Sequence, residues 1–160
     1  MTAETGTVRA AEPDDLPEIV AMIHEHAAYE KGGSLPSDLA LRLAPLLFGA
    51  PLSRMRCFVG VSPSEALIGF STVTTELSTW QAAEFLSMDC LFIRDHARGQ
   101  GLGTLFMAAI KEEASSRGIT IIQWQTPSWN EGAIRFYDRL GARRSAKQRY
   151  THNQLARETR

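Results

Sequence analysis

The sequence predicts an α/β fold, a mixed sheet with helices on both of its faces. Two observations carry this. Strand-like and helix-like runs alternate along the chain as β-α-α-β-β-β-α-β-α-β. Within that order, a strand, an amphipathic helix and a second strand occupy residues 86–125, a βαβ unit whose strands run parallel. The two strand runs before it join through "SPSE" as an antiparallel hairpin.

Each element has its own pattern. "TVRAAE" alternates and reads as a strand from Thr7. In the next segment Leu16, Ile19, Ile23 and Ala27 fall at helical spacing, with Asp14 and Asp15 near the positive end of the helix. "KGGSLPS" breaks the chain before a second helix over Asp38–Phe48, and "GAPLSRM" is a loop. "RCFVGV" and "ALIGFSTVTTEL" are the hairpin strands, and "EFLSMDCLFIRD" is a long β-rich run. Leu102, Leu105, Phe106, Ala109 and Ile110 form one helical stripe that Gly118 ends. "ITIIQWQT" is apolar enough for a central strand, "NEGAIRFYDRLG" is a short helix ended by Gly141, and "ARRSAKQRYTHN" supplies one or two last strands.

The chain has 160 residues, which suggests one domain over residues 1–160. No repeat, low-complexity tract or linker divides it. A net charge of -1 argues against a nucleic-acid partner. "MTAETGTVRA" lacks the apolar core of a secretory signal. The most apolar stretch, Leu39 to Leu52, is broken by Arg42, Pro45 and Pro51, so no membrane span is expected. Cys57 and Cys90 have no metal-ligand spacing, which suits buried thiols in a reduced, cytoplasmic setting. "HEH" at 24–26 is not a zinc motif, because residues two apart face away from each other on a helix; surface histidines are expected. The basic run "RRSAKQR" reads as a solvated strand edge.

"RGQGLG", Arg98 to Gly103, places three glycines in five positions. A dinucleotide fingerprint fails, because its third glycine would be Thr104 or Phe106. A P-loop fails for want of a Gly-Lys-Ser/Thr triplet. What remains is a strand, glycines and a helix N-terminus, whose outward N–H groups and dipole suit a pyrophosphate. From this segment alone, a turn that merely packs the helix on the sheet is an equal alternative.

"RGQGLG" and "SWNEGAIRFYDRLGA" together resemble the GCN5-related N-acetyltransferases. The first fits the Arg/Gln-x-x-Gly-x-Gly/Ala acetyl-CoA motif. The second resembles Asn-x-x-Ala-x-x-Phe-Tyr-x-x-x-Gly, through Asn130, Ala133, Phe136, Tyr137 and Gly141. "Tyr-Glu" after the first helix and "Trp-Asn-Glu" before the last are similar to the diamine (spermidine/spermine-type) branch. The resemblance implies an acyl-CoA N-acyltransferase fold of about six to seven strands, and a direct transfer of acetyl from acetyl-CoA to an amine in a ternary complex. It implies that the strand before "RGQGLG" and the strand "ITIIQWQ" splay apart. The backbone of Leu91, Phe92 and Ile93 would bind pantetheine, Arg98, Gly99, Gln100, Gly101, Leu102, Gly103 and Thr104 the pyrophosphate, and Asn130 the cofactor. It also implies a homodimer.

An alkyl amine has a pKa near 10.4, so at pH 7 only about one molecule in 2,500 is neutral and nucleophilic, a gap of roughly 4.6 kcal/mol. A base or water chain is therefore needed. Asp89, on the strand entering the site, is the candidate; it matches a position where the diamine branch is expected to carry Glu, and the shorter acid would act through water. The alternative for Asp89 is a structural cap or pair. Tyr137, matched to the family tyrosine, is the candidate acid for the leaving thiolate; its alternative is a core tyrosine. Tyr29 and Glu30 match the diamine branch as amine-binding residues, and Trp80 is a candidate lining of the amine channel; packing is an equal alternative for each. The expected acceptors are diamines, polyamines or amino-acid-like amines. A protein N-terminus or lysine, a catalytically silent acyl-CoA-binding module and a purely structural domain are the competing readings.

Overall fold

A computed structural model of the chain describes residues 5–49 and 53–154. The elements are β1 (Thr7–Ala10), α1 (Leu16–Tyr29), α2 (Leu39–Phe48), β2 (Met55–Val61), β3 (Leu67–Ser78), β4 (Ala83–Ile93), α3 (Leu102–Ser116), β5 (Ile122–Trp124) and α4 (Glu131–Arg139). Residues 50–52, within the loop expected between α2 and β2, lie outside the described residues. Residues up to Gln125 form one unit, and those from Thr126 onward, with α4, form another.

The first unit holds a five-stranded sheet in the order β1-β2-β3-β4-β5. β1 to β4 are antiparallel neighbours and β5 pairs parallel to β4, as the βαβ unit requires. Three expectations are corrected. Five strands are present among the described residues rather than six to seven, and residues 142–154 form no strand. That run is almost wholly polar and has no alternating apolar face whose burial would drive pairing. β5 covers only Ile122–Trp124 and, among the described residues, stands at the edge of the sheet, not at its centre. The apolar run is divided between two tasks. Buried Ile119 closes the C-terminus of α3, its N–H donating to the Ala114 carbonyl at 2.9 Å, while Ile121 is exposed.

Alternation along the strands sends side chains to two faces. Cys57, Val59, Phe70 and Phe92 pack with Ile19 and Met22 of α1 and Leu43 and Leu47 of α2. On the other face α3 approaches a glycine pair, because Gly60 and Gly69 stand opposite each other in the β2–β3 register. A Cβ on Gly60 would lie 3.0 Å from Leu102 and 3.1 Å from the Phe106 ring. A Cβ on Gly69 would lie 2.8 Å from the Phe92 carbonyl oxygen and 3.2 Å from Phe106. The glycines thus let α3 seat Phe106, which is fully buried, directly on the sheet. Gly69→Ala is expected to destabilise the fold by about 1–3 kcal/mol, by overpacking. Urea unfolding checks this; an unchanged midpoint would mean that α3 and β4 move aside freely.

Candidate functional site

The site is built on the end of β4. Pairing with β5 runs through Leu86↔Ile122, Ser87↔Gln123 and Met88↔Trp124 and then stops. Pairing with β3 continues to Ile93↔Gly69 but skips one residue, since Thr72 faces Cys90 and Val73 faces Met88. Asp89 is therefore the extra residue of a β-bulge. The bulge reverses the alternation. Leu86 points its N–H at β5, donating to the Ile121 carbonyl at 2.9 Å. Beyond the bulge, the Cys90 carbonyl accepts from Ser71 Oγ at 2.7 Å and the Arg94 N–H donates to the Ile68 carbonyl at 2.9 Å, both on the β3 side. Residues 90, 92 and 94 thus spend their backbone groups on β3, and Leu91 and Ile93 turn theirs to the edge where β5 has ended. Phe92 differs from its two neighbours. Its carbonyl faces Gly69 and its side chain fills the core under α1 and α2, so it supports the edge rather than presenting it.

The strand end is anchored to α1. The Arg94 guanidinium lies 2.6 Å from both Glu18 and Glu25 and donates to the Leu67 carbonyl at 2.9 Å. Hydrogen bonds from Arg94 hold the Glu25 carboxyl below the usual carboxylate range. A single 3₁₀ turn, Asp95–Ala97, leads into the glycine segment. Arg98 folds back there, donating from Nε to the Ile93 carbonyl at 2.7 Å and stacking over the Tyr29 ring at 4.7 Å. Gln100 ties the loop down by donating to the His96 carbonyl at 3.0 Å.

Gly99 and Gly101 have φ of 72° and 84°, conformations that favour glycine, and Gly101 is the residue before the first turn of α3. A Cβ at Gly99 would meet nothing within 4 Å, so the surface over the loop is open. The buried Leu102 side chain pins α3 to the sheet, while Gly103 and the exposed Thr104 complete its first turn. The first N–H groups of a helix have no partner within it, and the dipole adds partial positive charge. An open glycine cradle backed by a helix N-terminus fits a pyrophosphate.

Of the amine-side candidates, Asp89 lies at the bulge itself and Tyr29 and Glu30 at the end of α1. The Asp89 side chain is exposed, and Cys90 Sγ lies 3.6 Å from its Oδ2. Burial first, then the Asp89 charge and more distantly the Glu30 charge push the Cys90 thiol up to about 12. Glu30 follows the last residue of α1, with Nε2 of His26 3.2 Å from its Oε1. His26 corrects the surface expectation, because its side chain is only 14% exposed, whereas His24 is exposed. Trp80 lies in the turn between β3 and β4 and is 95% exposed, apart from this group.

In the second unit, Asn130 caps α4, its Oδ1 accepting from the Ala133 N–H at 3.2 Å. This directs its remaining donor capacity to the amide nitrogen. Tyr137 is half-buried on α4, its ring centroid 5.2 Å from that of Phe136. Among the described residues, no group of three or more His, Cys, Asp or Glu is arranged to hold a metal ion, and no helix is long and apolar enough to cross a membrane.

Residues 19–142 match the Acetyltransferase (GNAT) family. The chain belongs to that family. GNAT relatives include a thialysine N-epsilon-acetyltransferase of Caenorhabditis elegans, 30% identical over 79% of this chain and 76% of the relative. An L-ornithine N5-acetyltransferase of Arabidopsis thaliana is 23% identical over 84% and 78%. The solved structure of an aminoglycoside acetyltransferase from an uncultured soil metagenomic sample superposes with a TM-score of 0.75 at 17% identity, covering 94% of this chain and 97% of that one, and shows the shared fold. The protein is thus an acetyl-CoA-dependent N-acetyltransferase.

His26, Arg94 and Cys90 pack beside the candidate site and were not singled out from the sequence. His26 had a legible signal. It lies seven residues after Ile19 and four after Met22, on the stripe that α1 buries. Arg94 and Cys90 had none, because their partners come from α1 and from the bulge.

Proposed function

We propose that this GNAT enzyme acetylates the primary amine of a small cationic molecule, a diamine, polyamine or amino-acid-like amine. The observation that carries this is the seating of the acid-bearing end of α1 against the open end of β4: His26, 3.2 Å from Glu30, stacks on Phe92 at 5.4 Å, and Tyr29 lies under Arg98 at 4.7 Å. Glu30 stands at the negative end of the α1 dipole, where an acid is unfavourable. The Glu30 carboxylate at the negative end of a helix suits an ammonium group. The acceptors in the names of the thialysine and ornithine relatives are amino-acid amines, and support the same class.

In this reading acetyl-CoA supplies an activated thioester, with the Gly99–Thr104 cradle holding its pyrophosphate and Asn130 donating to it. Leu91 and Ile93 offer backbone N–H groups to the thioester oxygen at the unpaired edge, where fixed donors are most effective. Arg98 shapes that edge by occupying the Ile93 carbonyl. Glu30 and Tyr29 receive the amine, Asp89 takes its proton through a water, and Tyr137 protonates the leaving sulfur. Trp80 is proposed to line the amine channel in the assembled enzyme. Residues 1–160 are proposed to act as one domain, in a cytoplasmic homodimer, on the strength of the family resemblance.

Incubation with acetyl-CoA and a panel of thialysine, L-ornithine, 1,4-diaminobutane, spermidine and lysine peptides tests this. Free thiol release with the small amines is expected. Release only with peptides would make it a protein acetyltransferase. Tight acetyl-CoA binding without release would make it a silent module.

A further inference from the structure

His26 is not accounted for by the reaction above, and its surroundings are unusual for a helix histidine. Its ring stacks on Phe92 with centroids 5.4 Å apart and meets Phe70 edge-on at 6.0 Å. Both phenylalanines are buried. The imidazole therefore has little freedom, and the one acid it faces on its own helix is Glu30, 3.2 Å from Nε2. The backbone of Glu30 is also held, its N–H donating to the His26 carbonyl at 2.9 Å while the Gly32 N–H donates to the Ala27 carbonyl at 2.8 Å. What the backbone does not fix is the carboxylate of a long side chain at an unfavourable helix end, 37% exposed. Left alone, that carboxylate would sample several rotamers, and ordering it on binding would weaken the amine's affinity.

We propose that His26 is a positioning residue that determines affinity for the amine: wedged against Phe92 and Phe70, it fixes the Glu30 carboxylate so that the acid meets the incoming ammonium group already oriented. The same Phe92 lies between Leu91 and Ile93, so one buried ring sets both the amine-binding acid and the strand edge in register. The inference rests on Glu30 contacting the amine, as proposed above.

The test uses the full chain and whichever of thialysine, L-ornithine and 1,4-diaminobutane gives the highest kcat/KM. His26→Leu keeps the apolar packing and removes the polar contact. It is expected to raise KM for the amine about three- to tenfold, the scale of one ordinary net hydrogen bond, with smaller changes in kcat and in KM for acetyl-CoA. His26→Gln, which retains a donor near the position of Nε2, should return KM to within about twofold of the starting protein on that same scale. In a Glu30→Gln background, His26→Leu should add nothing further. Thermal unfolding of each variant separates misfolding from mispositioning, and the Gln variant decides if the Leu variant fails to fold. If Glu30→Gln raises KM but His26→Leu does not, the positioning role is wrong while the amine reading survives. A fall in kcat at unchanged KM would overturn it in favour of proton transfer. An unchanged KM in Glu30→Gln, or no turnover of any acceptor, overturns the amine assignment and this inference with it.

Discussion

Replacing Tyr137 with phenylalanine is expected to lower kcat by roughly 10²- to 10³-fold, the usual worth of a positioned general acid, while affinity for acetyl-CoA changes little. The substitution removes one oxygen and leaves the ring. The half-buried ring packs 5.2 Å from Phe136 and phenylalanine keeps that contact, so α4 should stay folded. The turn that follows α4 keeps its backbone bonds, because the Tyr137 carbonyl accepts from the Leu140 and Ala142 N–H groups, at 3.2 and 3.3 Å. What is lost is a proton donor. An ordinary phenol is protonated at neutral pH and can supply a leaving thiolate whose conjugate acid has a pKa near 8.5. Steady-state kinetics with isothermal titration of acetyl-CoA separates the outcomes. Equal loss of turnover and affinity would mean that Tyr137 serves packing alone. A variant with full turnover would remove it from the chemistry and leave solvent as the acid.

The distribution of what the sequence discloses has a physical pattern. α3 is legible because its apolar stripe and its terminal glycines are local signals. The glycine cradle is legible because only glycine readily adopts φ near 72° and 84° at Gly99 and Gly101. The bulge at Asp89 is not legible, since it is a mismatch between β4 and β3, and nothing within "SMDCLF" marks which residue is left over. Its effect is large all the same, because it turns Leu91 and Ile93 outward and commits Phe92 to the core. β5 is overread for the opposite reason. "ITII" carries a strand-like pattern, yet Ile119 is taken up in ending α3. His26 is misread because its residue type outweighs its position; helical periodicity alone places it on the buried stripe.

Gly101→Val should weaken acetyl-CoA binding by roughly tenfold to a hundredfold, the loss of one hydrogen bond to a charged group. Two effects act together, and a companion variant tells them apart. A valine at φ of 84° is strained, by about 1–2 kcal/mol for the left-handed region. Its side chain would also stand in open space at the residue before α3, where a Cβ has only Thr5 near, at 3.9 Å, and would crowd a pyrophosphate approaching the loop. Gly118, just past the other end of α3, has φ of 68°, and a Cβ on it would meet nothing within 4 Å. Gly118→Val therefore carries comparable backbone strain on the same helix without touching the cradle. Both variants should lose similar thermal stability, and only Gly101→Val should lose affinity in calorimetric titration. Equal loss of affinity in the two would trace the effect to the strained helix, and unchanged affinity in Gly101→Val would sink the pyrophosphate assignment. The strain is common to the two glycines, whereas the open N–H groups and the positive end of the dipole belong to Gly101 alone.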